Sequence, residues 1–246
     1  MKVYLNAITG IDDAIVSMFM SKRSWNREME EHIRDVCKKV LTADGCFNRD
    51  WQLSFCDAEA LSEFEDWMTK LSKWGWRHIT MLRFIDLSFT VEGLHRGGQD
   101  DWDAHAMRFN NRIIRNSTRL ADFKDGEMSA WYQGKIIPTD TALKSLGIET
   151  PDELNVDGVK YVRTVNGYIR EDLKDSRDAR RGLYHLSIPS SFIFKVNLTE
   201  FAHVYKERNA TGGAAPEVKE CCEACADLLE QFCPWFNRDL LMKIKN

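Results

Sequence analysis

The stretch Trp76-Arg77-His78-Ile79-Thr80-Met81-Leu82-Arg83-Phe84-Ile85-Asp86-Leu87-Ser88-Phe89-Thr90-Val91-Glu92-Gly93 decides the reading of the fold. In its second half Ile85, Leu87, Phe89 and Val91 alternate with Asp86, Ser88 and Thr90, the period of a strand with one buried face. Upstream the period is helical. Asp57 to Trp74 sets Leu61, Phe64, Trp67, Met68 and Leu71 at steps of three and four behind an aspartate suited to an N-cap. Earlier still, Ser24 to Leu41 carries Met29, Ile33, Val36 and Val40 on one helical face. Helices that give way to a strand, and not a regular βαβ alternation, predict an α+β fold: an antiparallel or mixed sheet packed with helices.

Downstream, Gly97-Gly98 breaks the pattern and leads into a predicted helix from Asp103 to Leu120. Between Glu127 and Arg170 lie two predicted hairpins, turning at Gln133-Gly134 and at Asn166-Gly167, with a short helix from Thr139 to Gly147 between them. That region has too few apolar residues for its own core. The expectation is one domain over residues 1–246 with a hairpin-rich elaboration at about 127–170. In the last third, Asn197 to Arg208 lines up Leu198, Phe201, Ala202 and Tyr205, and a closing helix runs from Pro216, a favoured first-turn residue, to Pro234.

The chain of 246 residues is 43% hydrophobic and 29% charged, enough apolar material for a sizeable core. A net charge of -4 disfavours a binder of polymeric nucleic acid. No stretch approaches the roughly 18 apolar residues of a membrane helix, and Met1 to Ser21 lacks a cationic leader with a cleavage site. Seven cysteines, an odd number, read as reduced thiols, so the cytoplasm is the expected compartment and no membrane partner is expected.

Arg108, Arg112, Arg115 and Arg119 fall at i, i+4, i+7 and i+11, one side of a helix if the segment is helical. Two readings follow. Either the row is a solvated face paired with carboxylates, or it is an anion pocket in which guanidinium forks and the Ser117 hydroxyl take a phosphate. Asp100, Asp101 and Asp103 with His105 match no metal-ligand spacing and read better as helix capping. Cys222-Glu-Ala-Cys225 has redox spacing, but both thiols fall on an apolar helix face and read as core. His78 and His203 are each uninformative alone.

Three segments, in order, resemble the flavin-dependent thymidylate synthase (ThyX) family. The first is the opening stretch, from His78 and Thr80 through the strand to Gly93. The second is Ser117-Thr-Arg119. The third is Ile188-Pro189, then Asn197 through His203 to Arg208, then Ala214-Ala-Pro-Glu217-Val. Together they cover roughly half the chain. Aligned back from Ser117, the family's Arg-His-Arg falls on Met107, Arg108 and Phe109, and its glutamate two before the serine falls on Arg115. The strand-motif histidine falls on Phe84, the arginine after Asn197 on Thr199, and the glutamine near the final helix on Ala215.

The resemblance implies a ThyX-like fold and conversion of dUMP to dTMP, with FAD supplying the hydride, methylenetetrahydrofolate the carbon and NADPH the reducing power. It implies that Arg208 contacts the pyrimidine and is the catalytic cation. Arg108, Arg112, Arg115, Ser117 and Arg119 would hold the rest of the nucleotide. His78, Arg108, Asn197 and His203 would lie near the flavin. A homotetramer with sites where subunits meet is implied as well. Two alternatives stand beside this: a related enzyme acting on another pyrimidine nucleotide, suggested by Arg115, and a nucleotide-binding protein without catalysis, suggested by the altered Arg-His-Arg.

Overall fold

The structure is a computed structural model that describes residues 1–47, 52, 54, 56–104, 112–116, 127–137, 139–164, 166–176, 183, 185–210 and 214–244. The chain divides into two compact units. The larger comprises Val3–Val91, Asp101–Ile114 and Ile193–Asn246, and the smaller Met1–Lys2, Glu92–Asp100 and Arg115–Phe192. Two sheets are present among the described residues, one four-stranded and one three-stranded. The α+β expectation holds.

In the larger unit, β1 (Lys2–Thr9) leads into α1 (Ile11–Ser21) through Gly10. Gly10 has φ 81, and a Cβ there would meet the Phe84 carbonyl oxygen at 2.0 Å, so only glycine fits. α2 (Arg27–Val40) is capped by Asn26, whose side chain accepts from the Met29 N–H at 2.7 Å. Its Ile33, Val36, Cys37 and Val40 are buried, as the helical period predicts. α3 (Ala58–Gly75) starts at Asp57, whose carboxylate accepts from the Glu59 N–H at 2.8 Å. The short α4 (Ile79–Leu82) follows, then β2 (Asp86–His95).

The four-stranded sheet has the order β1-β2-β7-β3, with β7 at Pro189–Asn197 and β3 at Arg112–Arg115. α7 (Leu198–Ala210) begins on the residue after β7 ends. Asn197 makes that abrupt change workable: its Oδ1 accepts from the N–H groups of Thr199 at 3.1 Å and Glu200 at 3.0 Å, and from the Thr199 hydroxyl at 2.6 Å. Aromatic packing joins sheet to helices. Phe194 of β7 stacks on Phe89 of β2 with centroids 5.2 Å apart, and Trp102 meets Phe194 at 5.0 Å; Phe201 of α7 lies 5.6 Å from Phe89. All four rings are essentially buried, a set that removes several kcal/mol worth of apolar surface from water, at roughly 2–3 kcal/mol per ring.

α8 (Pro216–Phe232) buries Cys221, Cys222 and Cys225, so the CxxC spacing is core, as expected. All seven cysteines are free thiols. α9 (Arg238–Lys243) is tied to α8 by Arg238, which meets Glu223, Asp227 and Glu230; Glu223 also accepts from Tyr205 and Asn209 of α7. Among the described residues no helix is long and apolar enough to cross a membrane.

In the smaller unit β4 (Glu153–Val156), β5 (Val159–Thr164) and β6 (Gly167–Arg170) form an antiparallel sheet. Val156 pairs with Val159 across Asp157-Gly158, whose φ values of 52 and 80 are those of a tight hairpin turn. Sequence reading passed over this Asp-Gly. The second expected hairpin is present, with Thr164 paired to Gly167, so Gly167 belongs to β6 and not to the turn. The first is not a hairpin. Residues 130–135 form turns without flanking strands, since nothing on either side of Gln133-Gly134 alternates in polarity. The short helix is α6 (Thr139–Ser145), followed by Gly147 at φ 70.

The expected helix from Asp103 to Leu120 is also corrected. α5 spans Arg96–Ala104 and Arg112–Arg115 is a strand. Gly97-Gly98 does not break α5 but opens it, because the His95 ring packs so closely that a Cβ on Gly98 would lie 2.6 Å from it. In β3 the β-branched Ile113-Ile114 favour extended chain, and the period of two puts Arg112 and Arg115 on opposite faces. The one-sided row of four arginines therefore does not exist as a helical face; Arg108 and Arg119 lie outside the described residues.

Candidate active site

Arg208 occupies the last turn of α7, with its side chain 5% exposed. Burying a guanidinium is costly unless its charge is paired and its donors are used. The charge is paired: Nη1 lies 3.0 Å from Oδ1 of Asp101 on α5. The donors are only partly used. Nε and Nη2 are buried and have no hydrogen-bond partner among the described residues. These two nitrogens carry the parallel N–H groups of one guanidinium edge, the fork that grips a pair of acceptor lone pairs. The Cys222 thiol beside the pair is pushed well up by burial, against a smaller pull from Arg208, so it stays neutral.

His78 stands just before α4, exposed, at a groove of about 380 Å³. Ser17, Ser21 and Thr80 give the groove hydroxyls, Arg77 a cation, and Met81 with the half-exposed Phe84 an apolar wall. Apolar walls with a few convergent polar groups characterise small-molecule sites of roughly this size. Such a donor set suits an aromatic ring with polar edges and a neighbouring phosphate, so the residues fit part of a dinucleotide such as FAD.

The other expected site residues have varied fates. Asn197 is buried at the start of α7 and its amide oxygen caps that helix. His203 lies half-buried on α7. Arg112 pairs with Asp86 at 2.7 Å, which also takes Lys195 at 3.3 Å. Arg115, in the smaller unit, pairs with Asp100. Arg108, Ser117 and Arg119 lie outside the described residues. The capping role expected of Asp100 and Asp101 is corrected, since both lie past the first turn of α5 and hold arginines instead. Sequence reading missed Asp101 as the partner of Arg208 because nothing local links positions so far apart.

Similarity to known proteins bears on the whole chain. Two solved structures of the flavin-dependent thymidylate synthase ThyX from Helicobacter pylori, each with FAD and dUMP, share its fold. One is 12% identical with a TM-score of 0.54, covering 98% of this chain and 99% of its own. The other is 13% identical with a TM-score of 0.54, covering 98% and 100%. No curated protein sequence matches the chain. The model of the family described as thymidylate synthase complementing protein matches residues 29–235, a span that includes most of α2, His78, the Arg208–Asp101 pair and all of α8, and the chain belongs to that family.

Proposed function

We propose that the protein is an FAD-dependent thymidylate synthase that methylates dUMP at C5 to dTMP, using methylenetetrahydrofolate as carbon donor and NADPH as reductant. The observation that carries this reading is the buried Nε and Nη2 edge of Arg208, without a partner among the described residues, on the residue that the resemblance aligns with the family's pyrimidine-contacting arginine. Attack at C5 of uracil builds negative charge on the ring and its carbonyl oxygens. A fixed guanidinium in a dry site favours that charge more than it favours the neutral ring, which is the condition for lowering the barrier. The edge is shut off from water in the closed chain, so substrate entry calls for a local opening around α7.

The residues that would hold FAD are His78 with Arg77, Thr80 and Phe84, together with Arg108, Asn197 and His203. When bound, the flavin supplies the hydride that completes the methyl group. Of the expected nucleotide-binding arginines, Arg112 lies in the same unit as Arg208 and would hold the sugar and phosphate of the nucleotide. The proposed assembly is a cytoplasmic homotetramer, each chain a single domain with residues 127–170 as an elaboration.

One observation favours dUMP over another pyrimidine nucleotide. Arg115 stands where the resemblance places a glutamate, but it is paired with Asp100, so its guanidinium is already engaged within the chain. The test offers the FAD-loaded protein dUMP, methylenetetrahydrofolate and NADPH under low oxygen and assays dTMP. Formation of dTMP, nearly abolished in Arg208→Ala, is expected. Turnover of a different pyrimidine nucleotide but not dUMP sinks the proposal, and so does a protein that takes up no FAD.

A further inference from the structure

A buried guanidinium that serves as a structural ion pair often presents a whole edge to its carboxylate. Arg208 does not. Asp101 touches Nη1, and Nε and Nη2 stay without a partner among the described residues, although both are buried. A contact at one nitrogen restricts how the group can turn, because the guanidinium is flat and rigid and its side chain is buried. The remaining edge is thereby limited in the directions it can take.

Asp101 is itself well anchored. The next residue, Trp102, is 1% exposed and packs on Phe194 of β7, so this end of α5 is fixed to the sheet that also launches α7. The Asp101 side chain is 34% exposed, so its own carboxylate remains partly hydrated while it holds a cation that is not.

We propose that Asp101 is a positioning residue for the reaction: by holding Nη1 of Arg208, its carboxylate presents the Nε and Nη2 edge to the pyrimidine ring of the nucleotide. This rests on the reading of Arg208 given above and assigns the geometry of that contact to a second side chain. Asp101 touches no substrate. Its effect passes wholly through Arg208, which sets it apart from a residue that merely supports the fold.

A double-mutant cycle tests this, with dUMP binding to the full-length, FAD-loaded protein measured by calorimetry for wild type, Asp101→Asn, Arg208→Met and the double variant. Asp101→Asn is expected to weaken dUMP binding about tenfold, or about 1.4 kcal/mol, and to change it less than about twofold in the Arg208→Met background. Asp101→Glu is expected to restore most of the affinity. The Arg208 Nε–H nuclear magnetic resonance signal, assigned by its loss in Arg208→Met, covers the case where that variant binds too weakly to titrate. It should shift with saturating dUMP in wild type and much less in Asp101→Asn. Should Asp101→Asn fail to fold, Asp101→Ser takes its place. Additive losses, or an equal shift of the signal in both proteins, overturn the role of Asp101. Failure of wild type to bind dUMP at all overturns instead the reading of Arg208.

Discussion

Replacing Arg208 by methionine should make the substrate-free protein more stable while destroying its nucleotide affinity. Two buried donor nitrogens without partners among the described residues each cost about 1–3 kcal/mol, so together they burden the folded chain by about 2–6 kcal/mol. Opposing this is one charge-assisted contact to Asp101, of about 1.5–3 kcal/mol before screening. Asp101 is partly in water, and it recovers much of that as hydration when the cation is removed. Methionine fills a similar volume and adapts its shape, so no large cavity follows. The balance is a gain of roughly 2 kcal/mol, or about 4–8 °C in Tm for a chain of this size. Urea unfolding checks it, as a higher midpoint at unchanged slope. A loss of more than about 1 kcal/mol would refute the claim that Arg208 is held in an incompletely satisfied state. In wild type, saturating dUMP should raise Tm by supplying the missing acceptors.

Three further outcomes are expected. Phe194→Ala removes a ring 1% exposed that touches both Phe89 and Trp102, and should cost about 3–5 kcal/mol by calorimetry; a cost under about 1 kcal/mol would show that the aromatic stack is not a load path of the core. Of the seven thiols, Cys56 should be labelled first by iodoacetamide under native conditions, the other six being buried and reacting only on unfolding, and fast native labelling of Cys222 would contradict its burial. The Thr42 hydroxyl, bonded to Asp44, holds that carboxyl below its ordinary value. A depressed folded pKa gives stability that is present above the unfolded value and lost as pH falls through the folded one, so Thr42→Val should flatten the acid side of the stability profile, slightly because Asp44 is mostly exposed. An unchanged profile would count against it.

Much of the fold was readable where one period ran long enough to exclude the other. α2, α3, α7 and α8 lie where Ile33, Phe64, Phe201 and Cys222 repeat at helical steps, and β2 where Leu87 and Phe89 alternate. β1 was missed, although Val3, Leu5 and Ala7 alternate with more exposed residues, because only Ile8 is fully buried and the exposed Tyr4 blurs the polar contrast. The arginine segment misled for a physical reason: steps of four, three and four describe spacing, not conformation, and the β-branched Ile113-Ile114 outweighed them. Arg208 was singled out by its distance from Asn197 in the family resemblance, and the structure buries it. Asp101 was not, because a contact between remote positions leaves no periodic trace in a single sequence.

The union of β7 and α7 without a linker turns the interval from Asn197 to Arg208 into a ruler. Eleven steps of a helix make about three full turns and advance about 16 Å, which returns Arg208 to nearly the same angular position as the residue that starts the count. One inserted residue would swing the guanidinium by about 100° and lift it by about 1.5 Å, off its carboxylate. Length variation in this enzyme is therefore expected to be tolerated outside that interval and to be lethal to activity inside it.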